Sequence, residues 1–309
     1  MLESQAAEQA CKQLNTVFDF VRWLVSQFNQ SDVYFGHGTD NPWDEAYSLV
    51  YQAIGLPVDP KDKIDQCNLT DTEKQTIVAW AEQRINQQVP LAYLTNTAWF
   101  CGKAYYVDER VLVPRSPIGE LIQNQFDGLI PQAPQRILDL CTGSGCIAIA
   151  CAYAFPQAEV DAVDISSDAL EVCEMNIEHH GMWQQVIPIQ SDVFSGVAEQ
   201  KYDVIVSNPP YVDAEDMADL PSEFHHEPEL GLAAGVDGLS IVNTILSEAA
   251  EHLSENGVLI VEVGNSLVHM EQAFPGVEFN WIEFKHGGIG VFMFTRSQLL
   301  QYRDAFVQE

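Results

Sequence analysis

R-I-L-D-L-C-T-G-S-G-C-I-A-I-A, residues 136–150, is the stretch that decides the fold. Residues 136–140 read as a short strand, an apolar helical run begins at Cys146, and only a glycine turn separates the two. Gly143 and Gly145 allow a sharp turn and let the backbone approach a bound ligand where a Cβ would collide. The same rhythm recurs downstream. Strands are expected over 159–164, 186–190, 203–207 and 258–263, with helices over 146–155, 167–179 and 239–253. Short strands alternating with helices give a parallel sheet wrapped on both faces, an α/β fold. Two β-rich stretches, 278–284 and 290–295, close the chain without a long helix between them, so a terminal antiparallel hairpin is expected.

A glycine turn by itself fits NAD, FAD and S-adenosylmethionine sites alike. Its neighbours narrow the field. Asp139 lies four residues before the first glycine, Asp164 ends the second strand, and Ser191-Asp192 ends the third. Together they line the crevice at the strand ends where α/β sheets hold ligands. Asp164 can accept from both ribose hydroxyls. Asp192 can accept from the adenine amino group while the Val193 N–H meets a ring nitrogen. Asp139 can anchor the turn and favour the cationic, amino-bearing end of S-adenosylmethionine, and Cys141, Thr142 and Ser144 complete the same cofactor-binding turn. A lone strand-end Asp is otherwise a helix N-cap, but three in register with the glycines favour a cofactor.

The fourth strand runs directly into Asn208-Pro209-Pro210-Tyr211. Two prolines after a buried strand end the ladder and stiffen the backbone. A turn alone would explain the prolines, but not the Asn before them or the Tyr behind. A planar nitrogen conjugated to a carbonyl or ring is a poor nucleophile, because its lone pair is delocalised. Asn208 and the Pro209 carbonyl can each accept one N–H of such an NH₂ group, so that orientation supplies most of the catalysis. Tyr211 offers a flat wall to a planar substrate. The catalytic and substrate-binding residues are therefore Asn208, Pro209, Pro210 and Tyr211, with Asn208 also reaching the cofactor. A dinucleotide dehydrogenase would leave this motif unexplained, and no Ser-His-Asp or Cys-His nucleophile is evident.

The first hundred residues read helical. Leu14, Val17, Val21, Leu24, Val25 and Phe28 recur at helical spacing. Asn41-Pro42 suits an N-cap and first helical residue, and Thr70 with Glu73 forms a capping box for a helix that Pro90 stops. Residues 98–101 and 104–107 flank Gly102-Lys103 as a β-hairpin. The division expected is a helical substrate-recognition domain over 1–95, a hairpin linker over 96–116 and a catalytic domain over 117–309. Arg115 and Glu120 lie in the segment before the first strand. Arg115 either folds over the cofactor and substrate near acidic groups or makes a surface salt bridge. H-H-E-P-E, 225–229, reads as a polar loop beside the cleft rather than a metal site, since adjacent histidines cannot easily face one ion. The Trp43 segment reads as a domain-packing feature. No metal is expected.

The chain carries 14 basic and 45 acidic residues, a formal charge of −31. Residues 1–107 hold 7 basic and 13 acidic side chains, net −6, and residues 108–309 hold 7 and 32, net −25. Such a surface repels duplex nucleic acid and anionic membranes and attracts basic proteins. The seven cysteines are odd in number and lack zinc spacing, which points to reduced thiols in a cytoplasm. No apolar run approaches a membrane span, and the start lacks the pattern of a signal peptide.

Residues 136–211 resemble class I S-adenosylmethionine-dependent methyltransferases that modify amide or exocyclic nitrogens. The helical start, the hairpin and V-L-V-P-R-S-P-I-G-E-L-I (111–122) narrow the resemblance to bacterial N5-glutamine protein methyltransferases. G-H-G-T-D-N-P-W-D-E-A (36–46), R-S-P-I-G-E (115–120) and V-D-A-E-D-M-A-D-L-P (212–221) resemble the type acting on ribosomal protein three of the large subunit, rather than the release-factor type. The resemblance implies a Rossmann-like, seven-stranded, mostly parallel sheet. It also implies S-adenosylmethionine converted to S-adenosylhomocysteine, and a basic ribosomal protein as substrate. Cofactor roles fall on Asp139, Gly143, Gly145 and Asp164, and the substrate amide on residues 208–211. Val193 stands where the release-factor type has a Trp. The remaining alternatives are a release-factor enzyme and a DNA or RNA amino-methyltransferase.

Overall fold

A computed structural model describes residues 2–57 and 64–306. The chain divides into two compact units, one of residues 1–98 with 221–226, the other of residues 99–220 with 227–309.

The first unit is helical. Its helices are Ser4–Gln13, Val17–Phe28, Pro42–Ala53, Asp71–Asn86 and the short Leu91–Thr95. Local chemistry sets their starts. Asn41 Oδ1 accepts from the Trp43 and Asp44 N–H groups, and Thr70 with Glu73 forms the expected capping box. Thr16 and Asp19 form another. The Asp71–Asn86 helix ends four residues before Pro90, which instead precedes the next short helix. Phe20, Val21, Leu24, Phe28, Leu49 and Ile77 are buried at the centre of this unit. Set into the same core is an ion network. Arg84, 1 % exposed, donates through Nε to Glu45, through Nη1 to Glu223 Oε1 at 2.9 Å and through Nη2 to the Tyr34 carbonyl at 2.7 Å. Glu223 belongs to the stretch that returns to this unit after the Asn-Pro-Pro-Tyr motif. In the Trp43 segment Glu45 is buried in this network, while the Trp43 ring is 45 % exposed.

The hairpin strands are β1 (Ala98–Phe100) and β2 (Lys103–Tyr105). Their turn is Cys101-Gly102, one residue earlier than expected, because both turn positions take positive φ, 48° and 73°. A two-residue hairpin turn of this kind matches the natural strand twist.

The second unit is built on a seven-stranded sheet. Its strands are β3 (Arg136–Leu140), β4 (Glu159–Asp164), β5 (Val186–Gln190), β6 (Tyr202–Ser207), β7 (Leu253–Glu262), β8 (Asn280–Trp281) and β9 (Val291–Thr295). They lie in the order β5-β4-β3-β6-β7-β9-β8. β3 to β7 are parallel, while β9 runs antiparallel to both β7 and β8. β7 starts at Leu253, five residues before the expected 258. Of the stretch 278–284, Asn280 and Trp281 form the short strand, and the Ile282 N–H also donates to the Val291 carbonyl at 2.8 Å. Helices Cys146–Ala154, Ser167–His180 and Ser240–His252 join the parallel strands. Strand order reverses between β3 and β6, and the crevice beyond their carboxyl ends is where such sheets hold ligands.

Candidate active site

β3 ends in Asp139-Leu140 and passes directly into the glycine turn. Asp139 is fully buried. Its Oδ2 accepts from Thr142 Oγ1 at 2.6 Å and the Ala148 N–H at 3.0 Å, so it anchors both turn and helix. Its Oδ1 is buried with no hydrogen-bond partner among the described residues. Burial pushes the carboxyl from 3.8 up to about 7.

The two glycines do different work. At Gly145 (φ +78°) a Cβ would lie 2.6 Å from Cys173 Sγ, so the position lets the Ser167–His180 helix pack close. At Gly143 (φ +54°) a Cβ would meet nothing within 4 Å. That open space is where a ligand can approach backbone. Thr142 and Ser144 are buried, and Thr142 braces Asp139 from within. Asp164, at the end of β4, accepts from the Gly143 N–H at 2.9 Å and the Ser166 N–H at 3.0 Å. It therefore ties the glycine turn to the neighbouring strand, and each oxygen keeps a lone pair for a further donor. Burial raises its pKa.

Asp192 is exposed after β5, and Val193 is buried with φ +47°. A β-branched residue in the left-handed region is strained by roughly 1–3 kcal/mol, and such strain gathers at sites that must aim a backbone group. Ser191 holds the strained turn, donating to the Val193 carbonyl at 3.0 Å and accepting from the Gly196 N–H at 2.7 Å.

Across the switch point, Ser207 Oγ donates to the Leu140 carbonyl at 2.8 Å and joins the ends of β6 and β3. Asn208 follows. Its Oδ1 is buried and has no hydrogen-bond partner among the described residues. An unsatisfied buried acceptor costs about 1–3 kcal/mol, unless a ligand's donor completes it. The residues behind it are held on every side. Tyr211 OH donates to Glu262 Oε1 at 3.0 Å, and Glu262 Oε2 accepts from Ser116 Oγ at 2.6 Å. Ser266 Oγ donates to the Tyr211 carbonyl at 2.6 Å. The Gly264 backbone lies against the Tyr211 ring, where a Cβ would come within 2.6 Å of Cε2. Val212 bonds through both N–H and C=O to residues 232 and 234. Burial raises the Tyr211 and Glu262 pKa values.

Arg115 makes a two-pronged contact with Glu227, Nη1 to Oε1 at 2.6 Å and Nη2 to Oε2 at 2.7 Å. The Glu227 carboxylate is fully buried and also accepts from the Val113 N–H at 2.9 Å. This pair is no surface bridge, and it places a residue of H-H-E-P-E inside the fold. Glu120 accepts from the Lys285 and His286 N–H groups. Among the described residues no group of three His, Cys, Asp or Glu side chains could hold a metal ion. No helix among them is long and apolar enough to cross a membrane.

The structure brings Asp139, Asp164 and Asn208, singled out in the sequence, to the carboxyl ends of β3, β4 and β6, with Ser191 beside Asp192 after β5; the sequence reading did not single out Glu262, Gly264, Ser266 or Ser116. A signal existed for one group: E-V-G-N-S, 262–266, places a glycine just beyond a strand, as the 143–145 turn does.

Comparisons with known proteins show what the chain is similar to. The family described as "Methyltransferase small domain" matches residues 122–229. A ribosomal protein uL3 glutamine methyltransferase of Francisella tularensis is 44% identical over 308 residues, 99% of this chain and 98% of that protein. The enzyme so named from Neisseria gonorrhoeae is 46% identical, over 94% of this chain and 98% of that protein. Among solved structures, a methyltransferase from Pyrococcus furiosus aligns with 20% identity and TM-score 0.45, over 62% of this chain and 88% of that chain. With its mostly parallel seven-stranded sheet of class I methyltransferase architecture, this chain belongs to the family of ribosomal protein uL3 glutamine methyltransferases.

Proposed function

We propose that this enzyme transfers a methyl group from S-adenosylmethionine to the side-chain amide nitrogen of a glutamine in ribosomal protein uL3. The observation that carries the reading is the buried, unpartnered Asn208 Oδ1 at the end of β6, on a loop fixed from Ser207 to Val212. A primary amide has two N–H donors. Asn208 Oδ1 accepts one and the Pro209 carbonyl the other, which withdraws the nitrogen lone pair from conjugation and fixes its direction. Tyr211, held by Glu262, Ser266 and Gly264, walls the amide plane. Once methylated, the nitrogen is acidic and loses its proton to solvent, so no tuned general base is needed.

The residues present fit the cofactor. When bound, S-adenosylmethionine supplies an electrophilic methyl on a sulfonium sulfur. Asp139 Oδ1, buried and unpartnered, suits the cationic amino-bearing end. Gly143 leaves room for close approach, Asp164 can take the ribose hydroxyls, and Asp192 with the Val193 N–H can take the adenine. Because burial holds the Asp139 carboxyl near 7, binding a cation there releases a proton at lower pH. Cofactor affinity is expected to rise with pH and level off above about 7. Calorimetry should give about tenfold per pH unit at most below that point, and Asp139→Asn should flatten the dependence. In the free enzyme the sign is opposite. A carboxyl raised above 3.8 supports folding fully below that value, and its contribution is lost as pH rises through about 7.

The helical unit is the part we assign to recognising the protein substrate, and the cytoplasm is where the reaction takes place. The formal charge of −31 gathers a basic substrate. The value of kcat/KM for uL3 is expected to fall several-fold between about 0.05 and 0.5 M salt, as screening shortens the reach of that field. A flat response would show that the charge does not steer association. Labelled-methyl transfer tests the whole reading: offered unassembled uL3, release factors, DNA and RNA together, the enzyme should label uL3. Label on release factor or nucleic acid instead would overturn it.

A further inference from the structure

The segment G-H-G-T-D-N-P-W-D-E-A, 36–46, takes no part in the site described above, yet its inner side is held rigidly. Glu45 is buried and paired with Arg84, and its Oε2 accepts from Thr39 Oγ1. Asn41 caps the Pro42–Ala53 helix. The outer side carries Trp43, 45 % exposed, stacked on Phe18, 36 % exposed, with ring centroids 6.4 Å apart and planes 23° from parallel. Because the two rings adjoin, they form an exposed aromatic patch rather than two isolated exposed side chains.

The surroundings of the pair are acidic. Asp44 follows Trp43 and Asp19 follows Phe18 in the chain. Asp40 and Asp44 are linked through the Asn41 side-chain amide at 2.6 and 2.8 Å. The Asp19 carboxylate accepts from the Asn15 and Thr16 N–H groups, which keeps it ionised. Arg22, whose charge faces Asp19, offsets part of this field.

We propose that Trp43 and Phe18, with the carboxylates of Asp19, Asp40 and Asp44, form a docking surface for an Arg- or Lys-bearing segment of the basic protein substrate, remote in sequence from the methylated glutamine. A guanidinium or ammonium seats over the aromatic faces while the carboxylates take its N–H groups. Because the segment's inner side is already fixed, little ordering opposes binding. A neutral apolar partner would not need the acids, and nucleic acid would be repelled by them.

This rests on the uL3 reading, and the experiment separates the two. Steady-state methylation of full-length uL3 is compared for wild type, Trp43→Ala, Trp43→Phe and Asp40→Asn/Asp44→Asn, with calorimetric binding of S-adenosylmethionine in parallel. If wild type labels no uL3, the proposed substrate is wrong. If it does, Trp43→Ala should raise KM roughly 3–30-fold, with kcat and cofactor affinity close to wild type. Trp43→Phe should recover part of the loss, and the Asp pair should raise KM more at low salt than at high. An unchanged KM in Trp43→Ala would overturn the docking surface. So would a loss confined to kcat or to cofactor affinity, which would mark the ring as structural.

Discussion

Asn208→Ala is expected to lower kcat for glutamine methylation by roughly 10²–10³-fold, the cost of removing one preorganised acceptor at a reacting centre. The effect belongs in kcat because Asn208 Oδ1 acts on the geometry of the amide nitrogen, whereas substrate affinity is spread over a larger surface. The fold should survive. Asn208 Oδ1 has no partner among the described residues, so truncation removes an unsatisfied buried acceptor instead of breaking a bond. Thermal unfolding within a few degrees of wild type, with turnover lost, is the expected pair of results. Turnover within threefold of wild type would mean that the amide is oriented by other groups, and the assignment of the Asn-Pro-Pro-Tyr loop would fall.

The largest effect on stability is expected at Arg84. Its guanidinium is 1 % exposed and serves two carboxylates, Glu45 and Glu223, whose side chains are 5 % and 0 % exposed. Arg84→Ala would leave both buried without their counter-charge, and losing one partner of a buried pair costs about 3–5 kcal/mol. For a unit of about 100 residues that corresponds to a fall in thermal midpoint on the order of 10–30 °C. Replacing all three members, as Arg84→Met, Glu45→Leu and Glu223→Leu, should recover most of the loss. The share held by Tyr34 would not return, because its N–H donates to Glu223 at 2.8 Å and its carbonyl accepts from Arg84. A loss below 1 kcal/mol for Arg84→Ala, measured by chemical denaturation, would show that water reaches the site and screens the carboxylates.

These two residues differ in how visible they are in the chain. Asn208 sits in a contiguous motif behind a strand, so its chemistry can be read from its neighbours. Arg84 is one polar residue on a helix whose apolar positions are what the eye follows, and its partners lie 39 and 139 residues away. The same contrast runs through the site. The anchor from Asp139 to Thr142 spans three residues and was legible, whereas the bond from Ser116 to Glu262 spans 146. Arg115 shows the intermediate case. Its need for an acidic partner was evident, but Glu227 lies 112 residues on, within a stretch that otherwise suggested a loop.

What the chain determines by itself is whatever depends on neighbours a few residues apart. That includes the caps at Asn41 and Thr70, the strand–turn–helix at 136–154, the order of strands and helices, and the cluster of acids and amide around the switch point. Tertiary structure alone decided which acids carry a buried charge, which close the Tyr211 clamp, and which oxygens stay unpartnered. The reason is physical. Local bonds follow from backbone geometry, but burial and long-range pairing exist only once distant segments have excluded water from between them, and the shifted protonation of Asp139 and the orphaned oxygen of Asn208 both arise from that exclusion.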